Sequence, residues 1–205
     1  MKKYLFGIVF IIYILVGCAN THYQNGRDAF DRGDYDIAVK EFRSLAEQDD
    51  PRGQYALAIM YDMGEGVPQN SEQAFEFYRL AAEQGYADAQ NNLGVMYDQG
   101  EGVSVNYKEA MKWYLLAAEQ GNKDAPNNIG VMHMIGLGVP RDFAQAHKWF
   151  TIAGTKDFEA KSNKKFTERR LTPEQIAESE RLAGEWHKKV GKTNETVSMY
   201  SLYFK

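Results

Sequence analysis

The chain has 205 residues, 44% of them hydrophobic and 13% aromatic, with a formal net charge of −4. Apolar content at this level excludes a disordered polymer, and the length suffices for one sizeable core. Residues 18–155 hold 11 basic and 20 acidic side chains, a net of −9, whereas residues 156–192 hold 10 and 7, a net of +3, so most of the chain repels a nucleic-acid backbone and no nucleic-acid partner is expected.

Lys2 and Lys3 open the chain, and the thirteen residues from Tyr4 to Val16 carry no charge. A helix needs roughly 20 apolar residues to span a bilayer, so residues 1–17 read as a processed export signal. The signal ends in Leu15-Val16-Gly17-Cys18, which resembles the lipobox of bacterial lipoproteins. The resemblance implies a diacylglycerol thioether on Cys18, cleavage before it and an acylated new amino terminus. Several acyl chains on one residue exceed what stable anchoring requires. Ala19 stands where aspartate is the familiar inner-membrane retention signal, so the expected location is the outer membrane, facing the periplasm. Cys18 is also the only cysteine, so no intramolecular disulfide can form and packing alone must hold the fold. Residues 18–25 then read as a tether.

Next comes a periodic region. "YDMGEGVPQNSEQAFEFYRLAAEQG" from Tyr61 returns as "YDQGEGVSVNYKEAMKWYLLAAEQG" from Tyr97, and a divergent copy follows from His133. Gly64, Gly100 and Gly136, then Ala74, Ala110 and Ala146, then Phe77, Trp113 and Trp149 repeat every 36 residues. A period in this range marks a solenoid whose units each cover a neighbour's apolar face. Each unit reads as two helices, A and B. Ala89, Leu93 and Tyr97 share a face of one helix A, and Met111, Tyr114, Leu115 and Ala118 form the inner stripe of its helix B. Asp50-Pro51, Asn70 with Gln73, Asn106 with Glu109 and Asp142 with Gln145 supply helix starts.

The columns Ala89, Leu93-Gly94, Tyr97, Gly100-Glu101-Gly102-Val103, Ala110, Trp113-Tyr114, Ala117-Ala118 and Gly121 resemble the Sel1-like repeat, a relative of the tetratricopeptide repeat with a longer loop between its helices. The resemblance implies an all-α solenoid of helix-turn-helix units ended by a closing helix pair. The units fall at 51–87, 88–123 and 124–156. Residues 26–50 keep the helix B columns Ala38, Phe42 and Ala46 but lack the Gly-x-Gly-Val loop, and read as a tetratricopeptide-like first unit. Residues 157–190 read as the closing helices, with Thr172, Pro173 and Gln175 starting the second, and 191–205 as a loose, disordered tail.

No catalytic constellation emerges. His133 occupies the column of Tyr61 and Tyr97, and His147 that of Phe75 and Met111, so both read as core residues. The chain lacks a zinc-binding His pair beside a carboxylate and a Gly-x-Ser-x-Gly elbow, and its "GEGV" has neither the lysine nor the strand of a phosphate loop. No cofactor, metal or small-molecule substrate is expected, and the chain reads as non-catalytic. Cysteine-rich members of the family have been described as β-lactamases, but they carry a cysteine pair in each repeat and this chain carries none. A cell-wall-active, β-lactamase-like hydrolase is therefore the remotest alternative.

Surface remains. At about 100° per residue, Asn91, Val95 and Asp98 lie opposite Leu93 on helix A, on the side that lines the concave groove of tetratricopeptide-like solenoids. Their equivalents are Tyr55, Ile59 and Asp62 in the first copy and Asn127, Val131 and Met134 in the third. Ile59, Val95 and Val131 make an apolar row that either packs adjacent A helices together or receives a partner. The expected function is a lipid-anchored envelope scaffold or regulator that binds a peptide or protein in that groove. A surface-exposed adhesin or host-interaction factor is the alternative within binding.

Overall fold

The computed structural model describes residues 19–154 and 158–203, with side chains to residue 191. Residues 1–18, on which the expected export signal and the expected lipidation site Cys18 fall, lie outside the described residues. Among the described residues there are ten helices and no strand, giving an all-α solenoid of helical repeats. Helix α1 covers 19–32, and α2 (Tyr35–Ala46), α3 (Pro51–Met63), α4 (Ser71–Glu83) and α5 (Ala87–Gln99) follow. After them come α6 (Tyr107–Glu119), α7 (Ala125–Ile135), α8 (Phe143–Ala153), α9 (Phe158–Glu168) and α10 (Pro173–Tyr203).

Helix starts follow the local chemistry. The Asn70, Asn106 and Asp142 side chains accept the backbone N–H groups of Gln73, Glu109 and Gln145 at 3.0, 3.2 and 3.0 Å. Asp50 accepts from the Arg52 N–H, with Pro51 at the first helical position. At Thr172 both halves of a capping box form: Gln175 donates its N–H to Thr172 Oγ1, and Thr172 donates its own to Gln175 Oε1.

The duplicated glycine loop joins helix A to helix B in a fixed geometry. Gly64, Gly100 and Gly136 end their A helices with φ of 75°, 76° and 85°, where a side chain would be strained. The second glycine of each loop serves close approach. A Cβ on Gly66, Gly102 or Gly138 would lie 2.8 Å from Tyr35, 2.2 Å from Ser71 or 2.8 Å from Tyr107. Those three residues each begin a helix B one unit earlier, so this glycine sets the spacing between repeats. The loop closes when the cap residue's N–H donates back to the carbonyl of the Tyr61, Tyr97, His133 column, at 2.9, 2.8 and 2.9 Å.

The described residues form two compact units, the first running to Ala89 with Glu101–Val103 added, the second comprising Gln90–Gly100 and everything from Ser104. In the first, Ala29, Ala38, Val39, Phe42, Leu45, Leu57 and Met60 make the core, with Ala19, Tyr23 and Phe30 packed against it. Residues 19–25 are therefore helix, which corrects the expected tether. Gly26 lets α1 lie on the Phe42 ring, since a Cβ there would come within 2.5 Å of it. His22 pairs with Glu41, and Arg52 donates to Asn20 Oδ1 at 2.7 Å.

In the second unit Ala110, Tyr114, Ala117, Ala125, Ile129, Met132 and Trp149 form the main core, to which α10 adds Ala183 and Trp186. The Trp149 and Trp186 rings meet edge to face at 4.8 Å. The first two repeats also tie their helices through a buried glutamine, Gln84 donating to Gln54 at 2.8 Å and Gln120 to Gln90 at 2.6 Å, whereas Pro126 holds that column in the third. Helix α10 continues to Tyr203 and so takes in most of the segment expected to be a loose tail. After Pro173 the chain has no proline, and the two mid-helix glycines, Gly184 and Gly191, cost only about 1 kcal/mol each.

Candidate binding surface on the A helices

In the first unit α1, α2 and α3 enclose a cleft of ≈ 150 Å³ lined by Tyr23, Arg27, Phe30, Asp31, Phe42, Tyr55, Ala56 and Ile59. Tyr55 and Ile59 were expected on this face, and the structure brings them together. The α1 residues were not anticipated there: Tyr23 fell in the expected tether, 18–25, and Arg27, Phe30 and Asp31 in the tetratricopeptide-like first unit, 26–50, with no site role. The period-four spacing of Ala19, Tyr23 and, one turn further, Arg27 beside Phe30 was the available signal. Tyr23 sits 6.2 Å from Phe42, with the Arg52 guanidinium 5.1 Å from the centre of the Tyr23 ring. Tyr55 leans on Tyr86 at 4.9 Å and Tyr78 at 5.8 Å, which fixes its rotamer. Burial pushes the Tyr86 hydroxyl up to about 12, so the cluster stays neutral. The cleft wall is apolar and ordered, while Arg27 and Asp31 stand exposed at its edge. Asp62 is half-buried, and that burial holds its carboxyl above the usual range.

In the second unit the expected residues behave differently. Asn91 and Asn127 are buried at 6% and 8% exposure, which corrects their placement on an open surface. Asn91 Oδ1 accepts from Asn128 Nδ2 at 3.1 Å, joining α5 to α7. Val95 is half-buried against the main core. Val131 and Met134 pack on Ala146, Phe150 and Ala160, the last contributed by α9. The apolar row thus serves helix packing at these positions. Of the second-unit residues, Asp98 is half-buried and its carboxyl too is raised by desolvation.

Two histidines bear on chemistry. His147 is fully buried, its Nδ1 2.5 Å from Ser179 Oγ and its Nε2 3.5 Å from Glu168 Oε1. Ser179 Oγ donates to the Ile176 carbonyl and is 2% exposed, so the serine and histidine form a buried polar link between α8 and α10, closed to substrate, while the half-exposed Glu168 carboxylate approaches from α9 beyond hydrogen-bonding geometry. Its repeat column predicts His147's burial, whereas both partners come from outside the repeat. His133 is half-buried with Nδ1 unpaired, and burial lowers its pKa. Among the described residues no group of three His, Cys, Asp or Glu could hold a metal ion.

Paired helices that recur every 36 residues and are joined by a Gly-x-Gly-Val loop define a helical-repeat protein. The Sel1 repeat matches this sequence over residues 51–86, 87–122 and 124–158, and the chain belongs to the Sel1-repeat family. Such proteins generally mediate protein–protein interaction. A Sel1 repeat protein from Oxalobacter formigenes is similar at 28% identity with a TM-score of 0.59, over 82% of this chain and 83% of that one. A protective antigen of uropathogenic Escherichia coli displaying an SLR fold is 34% identical over 75% of this chain, with a TM-score of 0.49. This chain spans only 41% of that antigen's length. Among curated proteins nothing matches.

Proposed function

We propose that this chain is a non-catalytic, lipid-anchored binding module of a bacterial envelope, whose α1–α3 cleft receives an apolar side chain of a partner polypeptide. The carrying observation is the cleft itself. Small-molecule pockets typically run to about 300–1,000 Å³, whereas ≈ 150 Å³ suits one large side chain of a peptide. Arg27 and Asp31 at the edge offer a donor and an acceptor to the partner's polar groups. The acidic balance of residues 18–155 favours a partner with basic residues around its anchor.

Attachment rests on the sequence "LVGC", with acylation at Cys18, and Ala19 supports an outer-membrane location facing the periplasm. The scaffold or regulator then acts where its partner is exported.

Ile59→Glu places a charge in the cleft wall. A protein retained by the wild type in affinity purification from solubilised membranes should be lost with Ile59→Glu at unchanged melting temperature. Equal recovery with both chains would refute the cleft as the binding surface. Protease treatment of intact and permeabilised cells reads the facing: protection in intact cells alone supports the periplasmic reading.

A further inference from the structure

Helix α9 and its surroundings carry a second surface, unrelated to the cleft. At about 100° per residue the buried Ala160 and Thr167 mark its inner side, Phe158, Lys161 and Lys165 line the outer one, and Arg169 follows in the turn just after the helix. Phe158 is 86% exposed and Phe166, beside that line, 42%. Two exposed phenylalanines on one eleven-residue helix are unusual on a surface that meets only water. Lys161, Lys165 and Arg169 form no ion pair among the described residues, unlike Lys164 on the inner side, which pairs with Glu180 at 3.0 Å.

Two arginines extend this surface. The Arg170 guanidinium stacks 3.5 Å over the Phe166 ring and 5.5 Å over Phe143, while Arg141 lies 5.6 Å over Phe143. Arg170 also donates to the Phe166 carbonyl at 2.8 Å. Neither arginine has a carboxylate partner among the described residues, so both present preorganised donors suited to phosphate.

We propose that the outer face of α9, with Arg141 and Arg170, docks on an anionic phospholipid surface. Charge complementarity argues for this occupant. The cations are concentrated on one convex helix face, whereas residues 18–155 carry a net of −9 and would repel a polyanion large enough to wrap the molecule. A membrane plane needs only this one face. From Phe158 to Glu168 the helix extends about 15 Å, long enough for two rings to enter the headgroup boundary while the cations meet phosphates beside them. The inference is independent of acylation at Cys18.

Because the apolar N-terminal segment would partition into any vesicle, the readout must be local. The full chain is reconstituted into vesicles of phosphatidylcholine alone and of phosphatidylcholine with phosphatidylglycerol, and amide hydrogen exchange is followed over residues 158–170. Exchange there should slow several-fold only with phosphatidylglycerol, and the effect should fade as salt is raised. Each surface cation contributes roughly a fivefold gain in partitioning, so the Lys161→Glu, Lys165→Glu, Arg169→Glu variant should lose the protection entirely. Circular dichroism confirms that the variant is folded, and the salt series on the wild type tests the proposal without it. Equal exchange in both lipids, or protection that survives charge reversal, would overturn it. So would equal protection from inorganic phosphate or polyglutamate without vesicles, which would assign a free anion or an acidic protein instead.

Discussion

Gly94 has no side chain because the Tyr114 ring occupies the space: a Cβ there would lie 2.6 Å from it. Gly94→Ala should therefore overpack the contact between helices A and B and destabilise the fold by about 1–3 kcal/mol. A thermal melt checks this, with about 2–4 °C expected per kcal/mol in a chain of this size. His147 gives a prediction in pH. Burial, with Lys164 opposite, holds its pKa below the ordinary 6.5, against the weaker opposing pull of Glu168 and Glu180. The unfolded chain then takes up a proton before the native one does. Its stabilising contribution is complete above about pH 6.5 and drains as the pH falls toward the lower native value. His147→Gln should flatten the decline in melting temperature between about pH 7.5 and about pH 5.5, leaving the share due to His133, whose pKa is also lowered. Parallel declines would show that His147 is not held neutral. The columns made Gly94, Ala110 and the burial of His147 legible. Ser179 and Glu168 were not, because they belong to helices outside the periodic region.

Among the elements, α1 shows how a short helix escapes a sequence reading. Its apolar positions Ala19, Tyr23 and Phe30 are diluted by Asn20, Thr21, Gln24 and Asn25, so the period-four spacing that was available is a weak signal on its own. Only tertiary contact with Phe42 and Arg52 explains the helix. Tyr23→Ala should release it, and amide exchange over 19–32 should rise well above that of α3. The A-helix row divides in the same way. Val95 faces the core and Ile59 the cleft, although they are equivalent in the repeat. Val95→Glu should lower the melting temperature by several degrees through burial of an unpaired charge, while Ile59→Glu should change it little. Neither the Asn91 to Asn128 bond nor the cover that α9 gives Val131 and Met134 could be read from the period, since each depends on which neighbour stacks where.

At the scale of the whole molecule, the 36-residue period made the solenoid architecture legible, because a repeated apolar face has no other economical way to be covered. Whether Cys18 carries lipid can be tested separately: Cys18→Ser should abolish labelling by a palmitate analogue and alter gel migration, and unchanged labelling would refute acylation there. The account's central claim is that the α1–α3 cleft holds a partner polypeptide. It is tested most directly in cells by photocrosslinking, with benzoylphenylalanine introduced at position 59 in the cleft and, as a control, at position 80 on the exposed side of α4. The cleft position should give a discrete adduct of higher mass that the control position lacks. No adduct at position 59, or the same adduct from both positions, would contradict the claim.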